Sequence, residues 1–271
     1  MSKAYVPNRE ADQVIIFAGP CSVESTEQFD IVAEGLSKMG LSWIRGGAFK
    51  PRTSPYSFQG LGIEGVKIME DAGKKHGLKT ITEVVDTTHV VEVLEHVDGI
   101  QIGTRNMANF ELLKVIGKAT EDSHQPVLFK RGMAATIDEW LSAVEYITQY
   151  GNPNVMLCER GIRTFENATR FTLDISAVPV IHKQSLLPIC VDVPHPAGVR
   201  DLVPSLARAA VAVGDLAKAA IAAGADALMI EVHPDPKTAK SDASQQLTLP
   251  QFEELLDELR QVASAVGKRI V

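Results

Sequence analysis

No stretch of this chain is long enough in apolar residues to span a bilayer as a helix; the longest runs fall well short of the ~18 that a span requires. The opening MSKAYVPNREADQ lacks the apolar centre of a secretory leader, so the chain reads as cytoplasmic. Cysteine is scarce: Cys21, Cys158 and Cys190 are odd in number and show no CxxC spacing, which excludes a disulfide framework and a zinc knuckle. There is no excess of positive charge. The formal net charge is −7 and the pI about 5.5, which argues against nucleic acid or an anionic membrane as partner. No Pro/Ser-rich linker divides the 271 residues, a length suited to one eight-fold α/β barrel.

What is present is an alternation. Strand candidates lie near 14–19, 41–46, 79–84, 99–103, 126–131, 154–159, 188–193 and 227–232. Between them run amphipathic helical stretches such as Glu64–His76 and Thr136–Tyr150, with apolar residues three and four apart. A last helix over Leu249–Val266 starts at a Thr248 cap with Pro250 in its first turn. Glycines at 40, 77, 117, 151 and 224 are placed to end helices. Eight such repeats predict an α/β fold, a single-domain (β/α)8 TIM barrel over residues 14–271 behind a short N-terminal extension, 1–13.

The strands also end pointedly. Cys21, Arg45, Glu83, Arg105, Lys130, Arg160, His195 and Glu231 each close or closely follow an apolar run. In such a barrel those ends converge on one mouth, where active sites are built. Cys21, His195 and Glu231, joined by Asp242 from the loop after Glu231, form a mixed S/N/O set from strands 1, 7 and 8, neighbours in a closed barrel. That set suits one divalent transition metal (Mn, Co, Fe or Zn) better than Mg or Ca. Two of the four also have plainer readings, Cys21 as a small buried hydrophobe and His195 as a satisfied structural histidine. Glu231, a carboxylate at the end of a fully apolar strand, is costly there unless paired or bound to a metal.

The cations follow another logic. Arg45, Lys50 and Arg52 lie in RGGAFKPRTSPYSFQG, where Pro51 stiffens the backbone and Thr53 and Ser54 add hydroxyls, a composition that fits a phosphate cradle. Arg105, Lys130 and Arg160 add charge from strands 4, 5 and 6. Such a cluster calls for a ligand with at least two anionic groups. Glu83, set among the cations, can position a water.

GPCS, RGGAFKPRTSPYSFQGLG, TEV, QIGTRNMANFELLK, LFKRGM, NPNVMLCERGIRTFE, LDISAVPVI and IEVHPDPxxAxSDxxQ together resemble the 3-deoxy-D-arabino-heptulosonate 7-phosphate (DAHP) synthases, in their compact type Iβ branch. The KPRTS stretch sets this family apart from the similar 3-deoxy-octulosonate 8-phosphate (KDO8P) synthases. The resemblance implies condensation of phosphoenolpyruvate with erythrose 4-phosphate and water, giving DAHP and phosphate, the first step of the shikimate pathway. It implies Cys21, His195, Glu231 and Asp242 as metal ligands, and Arg45, Lys50, Arg105, Lys130 and Arg160 around phosphoenolpyruvate. Arg52, Thr53 and Ser54 would hold the phosphate of erythrose 4-phosphate. Lys50 would pass a proton to the developing alkoxide, and Glu83 would orient the attacking water. A homotetramer is implied, and no membrane or nucleic-acid partner. With no segment left over for an effector domain, the rate is expected to stay flat against phenylalanine, tyrosine or tryptophan.

Two departures stand out. Asp192-Val193-Pro194-His195 lacks the serine that the family carries before its metal histidine. The spacing from His195 to Glu231 exceeds the family's by one tandem unit, LARAAVAVG (Leu206–Gly214) followed by LAKAAIAAG (Leu216–Gly224). Coincidence in an Ala-rich helix would give the same pattern. Ten residues are not a whole number of 3.6-residue turns, so the expectation is a helix broken near Gly214, with Asp215 capping its second piece and residues 215–224 dispensable for catalysis. A KDO8P synthase, a metal-dependent phosphosugar aldolase, and a catalytically dead barrel that binds a partner such as a chorismate mutase are the competing readings.

Overall fold

The computed structural model describes residues 12–52, 54, 56–167, 169–197 and 206–271, with 206–212 as backbone only. Eight strands run parallel: β1 (Gln13–Gly19), β2 (Trp43–Arg45), β3 (Lys79–Val84), β4 (Gly99–Ile102), β5 (Val127–Lys130), β6 (Val155–Glu159), β7 (Ile189–Asp192) and β8 (Ala227–Glu231). Each pairs with its successor, and β8 returns to β1 in the register Ile15↔Ala227 through Gly19↔Glu231. The sheet is closed, as the alternation of the sequence requires. Helices α1 (Thr26–Lys38), α2 (Ile63–His76), α3 (Val90–His96), α4 (Phe110–Ala119), α5 (Ile137–Thr148) and α6 (Ala177–Gln184) follow the first six strands. A single turn, α7 (Pro194–Ala197), and α8 (Leu206–Ala222) follow β7, and α9 (Leu249–Ala265) follows β8. Among the described residues no helix is long and apolar enough to cross a membrane.

Strand alternation divides the core. Val14, Ile16 and Ala18 of β1 face the helices, whereas Ile15 and Phe17 join Trp43, Ile81, Leu128, Met156, Cys158, Cys190, Ala227 and Met229 inside the barrel. Two residues further along each strand, the same period turns Arg45, Glu83, Lys130, Asp192 and Glu231 toward the mouth. The apolar filling below is therefore the floor on which the charged layer stands. One element was not foreseen: β9 (Arg269–Ile270) pairs with Gln13 and Val14 below the contact of β1 with β2. Val271 packs against the interior cluster from there.

Local signals place the helix ends. Thr248 and Gln251 form a reciprocal capping box at α9, and Thr136 and Glu139 another at α5. Gly77 is the left-handed cap of α2, and Gly40, Gly151 and Gly224 also take positive φ. Gly117 is a correction: it lies inside α4 and ends nothing. Its reason is close packing, because a Cβ there would stand 2.6 Å from Tyr150 Cδ2 and 2.8 Å from the Ile147 carbonyl oxygen. Gly117→Ala should therefore destabilise the barrel by about 1–3 kcal/mol, despite alanine's better helix propensity. Chemical denaturation checks this, and a variant of unchanged or higher stability would refute the packing argument.

The tandem copy is a second correction. Helix α8 runs unbroken from Leu206 to Ala222 through Gly214. Asp215 caps nothing there and pairs with Lys218 at 3.3 Å. Gly214 is a contact with α9, since a Cβ would meet Leu255 Cδ1 at 3.2 Å. The continuous helix keeps one stripe on the core, Val213, Ala217, Ala220 and Ile221, all fully buried. Excising 215–224 would remove most of that stripe, so the segment is part of the core and not dispensable.

Candidate active site

Above the apolar floor lies a cavity of about 300 Å³. Lys50, Arg52, Ser54, Glu83, Arg105, Lys130, Arg160, His195 and Asp242 line it, so the structure brings these expected residues to one opening. Arg45 and Glu231 are buried beneath it, as is Cys21. Thr53 lies outside the described residues. Arg170, Phe171, Met133 and Thr104 also line the cavity and were not foreseen.

The thiol of Cys21 is held from several sides. Its Sγ stands 3.3 Å from Asp242 Oδ2, accepts from Ser241 Oγ at 2.7 Å, and faces the Lys50 ammonium at 3.1 Å. Lys50 Nζ also donates to the Cys21 carbonyl at 2.9 Å, so one lysine spans the phosphate-cradle loop and the β1 loop. Burial pushes the Cys21 thiol up to about 12, with the Glu231 carboxylate adding and Lys50 opposing. Gln246, in the loop after β8, ties that loop to the β1 loop, accepting from Cys21 N at 2.9 Å and donating to the Ser241 carbonyl at 2.9 Å.

Asp192 is the hinge of the opposite wall. Fully buried, it pairs with the Lys130 ammonium and, through Oδ1, contacts His195 Nδ1 at 2.8 Å. Burial would raise its pKa, but His195, then Lys130 and Arg160, hold it well below the usual carboxylate range. Lys130 shows the converse: burial works against its charge, and Asp192 outweighs burial, so the net direction is up. Burial lowers the His195 imidazole despite Asp192, and its Nε2 is not the nitrogen that Asp192 holds.

Glu231 is fully buried, contacts Arg45 Nη1 through Oε1 at 3.4 Å, and leaves Oε2 without a partner among the described residues. A buried carboxylate oxygen with no partner is costly unless a cation completes it. With the Cys21–Asp242 contact and the oriented His195, this orphan makes the four residues a fitting donor set for one borderline divalent metal. Among the described residues, no three such side chains are already gathered in coordinating geometry. Lys50 Nζ stands beside the sulfur at 3.1 Å, while Asp192 holds only the Nδ1 side of His195.

Elsewhere the mouth is braced. Gln101 Nε2 donates to Glu83 Oε2 at 3.0 Å, and a Cβ on Gly103 would fall 2.0 Å from Glu83 Oε1, so the carboxylate fills the place a side chain would take. Arg131 joins the buried Glu159 and Asp174 at 2.8 Å each, and Glu159 Oε1 accepts from Gly161 N. This network backs the strand ends that carry Lys130 and Arg160. The signal for Asp192 was present in DVPH, whose aspartate closes β7. Arg131, Glu159, Arg170, Ser241 and Gln246 gave no spacing cue.

The model of the DAHP synthetase I family matches residues 4–268. A phospho-2-dehydro-3-deoxyheptonate aldolase of Thermotoga maritima is 49% identical over 255 residues, 94% of this chain and 71% of that protein. A 2-dehydro-3-deoxyphosphooctonate aldolase of Caulobacter vibrioides is 31% identical over 266 residues, 92% and 87% of the two chains. Among solved structures, a DAHP synthase of Thermotoga maritima superposes with a TM-score of 0.86 at 46% identity, covering 96% of this chain and 72% of that one. A truncated form of 3-deoxy-D-arabino-heptulosonate 7-phosphate synthase from the same organism gives 0.84 at 42%, covering 96% and 90%.

Proposed function

From the premise that the chain belongs to the DAHP synthetase I family, we propose that its mouth divides the DAHP synthase reaction between two anion subsites and one metal. The reaction joins C3 of phosphoenolpyruvate to the aldehyde carbon of erythrose 4-phosphate while water adds at C2 and phosphate leaves by C–O cleavage. It is the first step of the shikimate pathway. The observation that carries the partition is one cavity lined by cations from the end of β5 and from the loops after β2, β4 and β6, with His195 and Asp242 on its wall.

Arg45, Lys50, Arg105, Lys130 and Arg160 hold phosphoenolpyruvate. Arg52, Thr53 and Ser54 hold the phosphate of the aldose. Two anions that repel in water are thereby fixed side by side, which converts a bimolecular encounter into an oriented one. Arg160 is buried, and its Nε has no partner among the described residues, as suits a donor waiting for an anion. Lys50, whose ammonium reaches from the cradle loop to Cys21, donates a proton to the alkoxide that forms at the aldehyde carbon. Glu83, fixed by Gln101, orients the water toward C2.

Metal dependence belongs to the family. Cys21, His195, Glu231 and Asp242 would hold one Mn, Co, Fe or Zn ion, which as a Lewis acid would polarise the aldehyde oxygen.

The test is a split in KM. Arg52→Ala should raise KM for erythrose 4-phosphate about 10- to 150-fold, the cost of one charge-assisted phosphate contact, with a far smaller effect on phosphoenolpyruvate. Arg160→Ala should show the opposite bias. Equal effects on both substrates would contradict the partition.

A further inference from the structure

We infer that Arg170 is a further substrate-binding residue, which shares the phosphate of phosphoenolpyruvate with Arg160 across the ring of Phe171. The inference rests on the reading that Arg160 binds phosphoenolpyruvate.

Beyond β6 the chain leaves the barrel and doubles back. Ile162 and Thr172 exchange both backbone hydrogen bonds at 2.9 Å, a short antiparallel bridge that returns residues 170–171 to the side of 160–161. Gly161 makes the approach possible. Its φ is +88°, and a Cβ there would stand 2.8 Å from Phe171 Cβ. The ring of Phe171 then lies beneath two guanidinium groups, with Arg160 Cζ 4.0 Å and Arg170 Cζ 5.5 Å from its centroid. Both arginines and the ring line the mouth cavity.

Two like charges gathered at one aromatic ring are held by its quadrupole but repel each other. Burial first, and then Arg170, work against the charge on Arg160. Among the described residues Arg170 pairs with Asp242 Oδ1 at 3.6 Å, too long for a hydrogen bond, so this ion pair does not use the donor fork. A doubly charged group between the two forks relieves the repulsion and fits their planar geometry, and a phosphate has that charge where a carboxylate does not. Phe171 acts through the arginines and is a positioning residue.

The test uses the metal-loaded protein and four variants: Arg170→Ala, Arg170→Lys, Phe171→Leu and Arg160→Ala. Arg170→Ala should raise KM for phosphoenolpyruvate about tenfold or more. It should weaken competitive inhibition by inorganic phosphate to a similar extent. KM for erythrose 4-phosphate and the bound metal content should stay as in the parent. Arg170→Lys should recover part of the loss, and Phe171→Leu should raise the same KM with both charges in place. Arg170→Gln, which keeps more of the side chain, replaces the alanine variant if thermal melting shows the latter unfolded. If Arg160→Ala raises KM for phosphoenolpyruvate and Arg170→Ala does not, the inference is wrong and the subsite stands. An effect confined to metal content would make Arg170 a brace for Asp242, and one confined to erythrose 4-phosphate would move it to the other subsite; either overturns the inference. If Arg160→Ala itself leaves that KM unchanged, it is the underlying reading that fails.

Discussion

Cys21→Ala abolishes turnover, and excess metal does not restore it: that is the largest effect expected of any single substitution at the mouth. The sulfur is the soft member of the S/N/O set, and its removal leaves Asp242, His195 and Glu231, which bind a borderline ion less tightly and in another geometry. It also deprives the Lys50 ammonium of a contact at 3.1 Å, so the proton donor and the metal are disturbed together. Chelation of the parent protein should likewise abolish activity, with Mn or Co restoring it. The fold should survive both treatments, because Cys21 is small and its backbone remains tied to Gln246. Full activity after exhaustive chelation, with metal content verified as nil, would sink the metal assignment.

The second large effect is on stability as well as rate. Asp192→Ala should lower stability by about 3–5 kcal/mol, since it strands the buried Lys130 ammonium without its counter-charge. For a chain of this size that is roughly 10 °C in melting temperature. Activity should fall too, because His195 loses the carboxylate that orients its ring. Pairing the change with Lys130→Met should return much of the stability and none of the activity. A single variant that melts with the parent would show that the Lys130–Asp192 pair is not held as the structure has it.

How much of this could be read from the sequence follows from the range of each interaction. The eight strands lay where apolar runs of strand length were bounded by glycine and charge, and the barrel followed from their alternation with helices. The ends of β2, β5 and β8 were legible because Arg45, Lys130 and Glu231 are costly residues at the close of apolar strands. Asp192 was visible in the same way, yet DVPH drew attention to its missing serine and away from its aspartate. Gly117 and Gly214 misled because a glycine in a helix reads as an ending until the neighbour that crowds it is known, Tyr150 in one case and Leu255 in the other. The clamps of Gln246 on Cys21 and of Arg131 on Glu159 join residues far apart in the chain, and no local pattern announces them. Arg170 belongs with these, since only the fold-back at Ile162 and Thr172 brings it to the mouth.

The central claim is that one metal-dependent mouth joins phosphoenolpyruvate to a four-carbon aldose phosphate. Release of inorganic phosphate tests it most directly, with the pure protein, phosphoenolpyruvate, added Mn, and either erythrose 4-phosphate or arabinose 5-phosphate. The account predicts rapid release with erythrose 4-phosphate, background release with arabinose 5-phosphate, and none with either once the metal is chelated. Release with arabinose 5-phosphate alone, or equal release with and without metal, would contradict it.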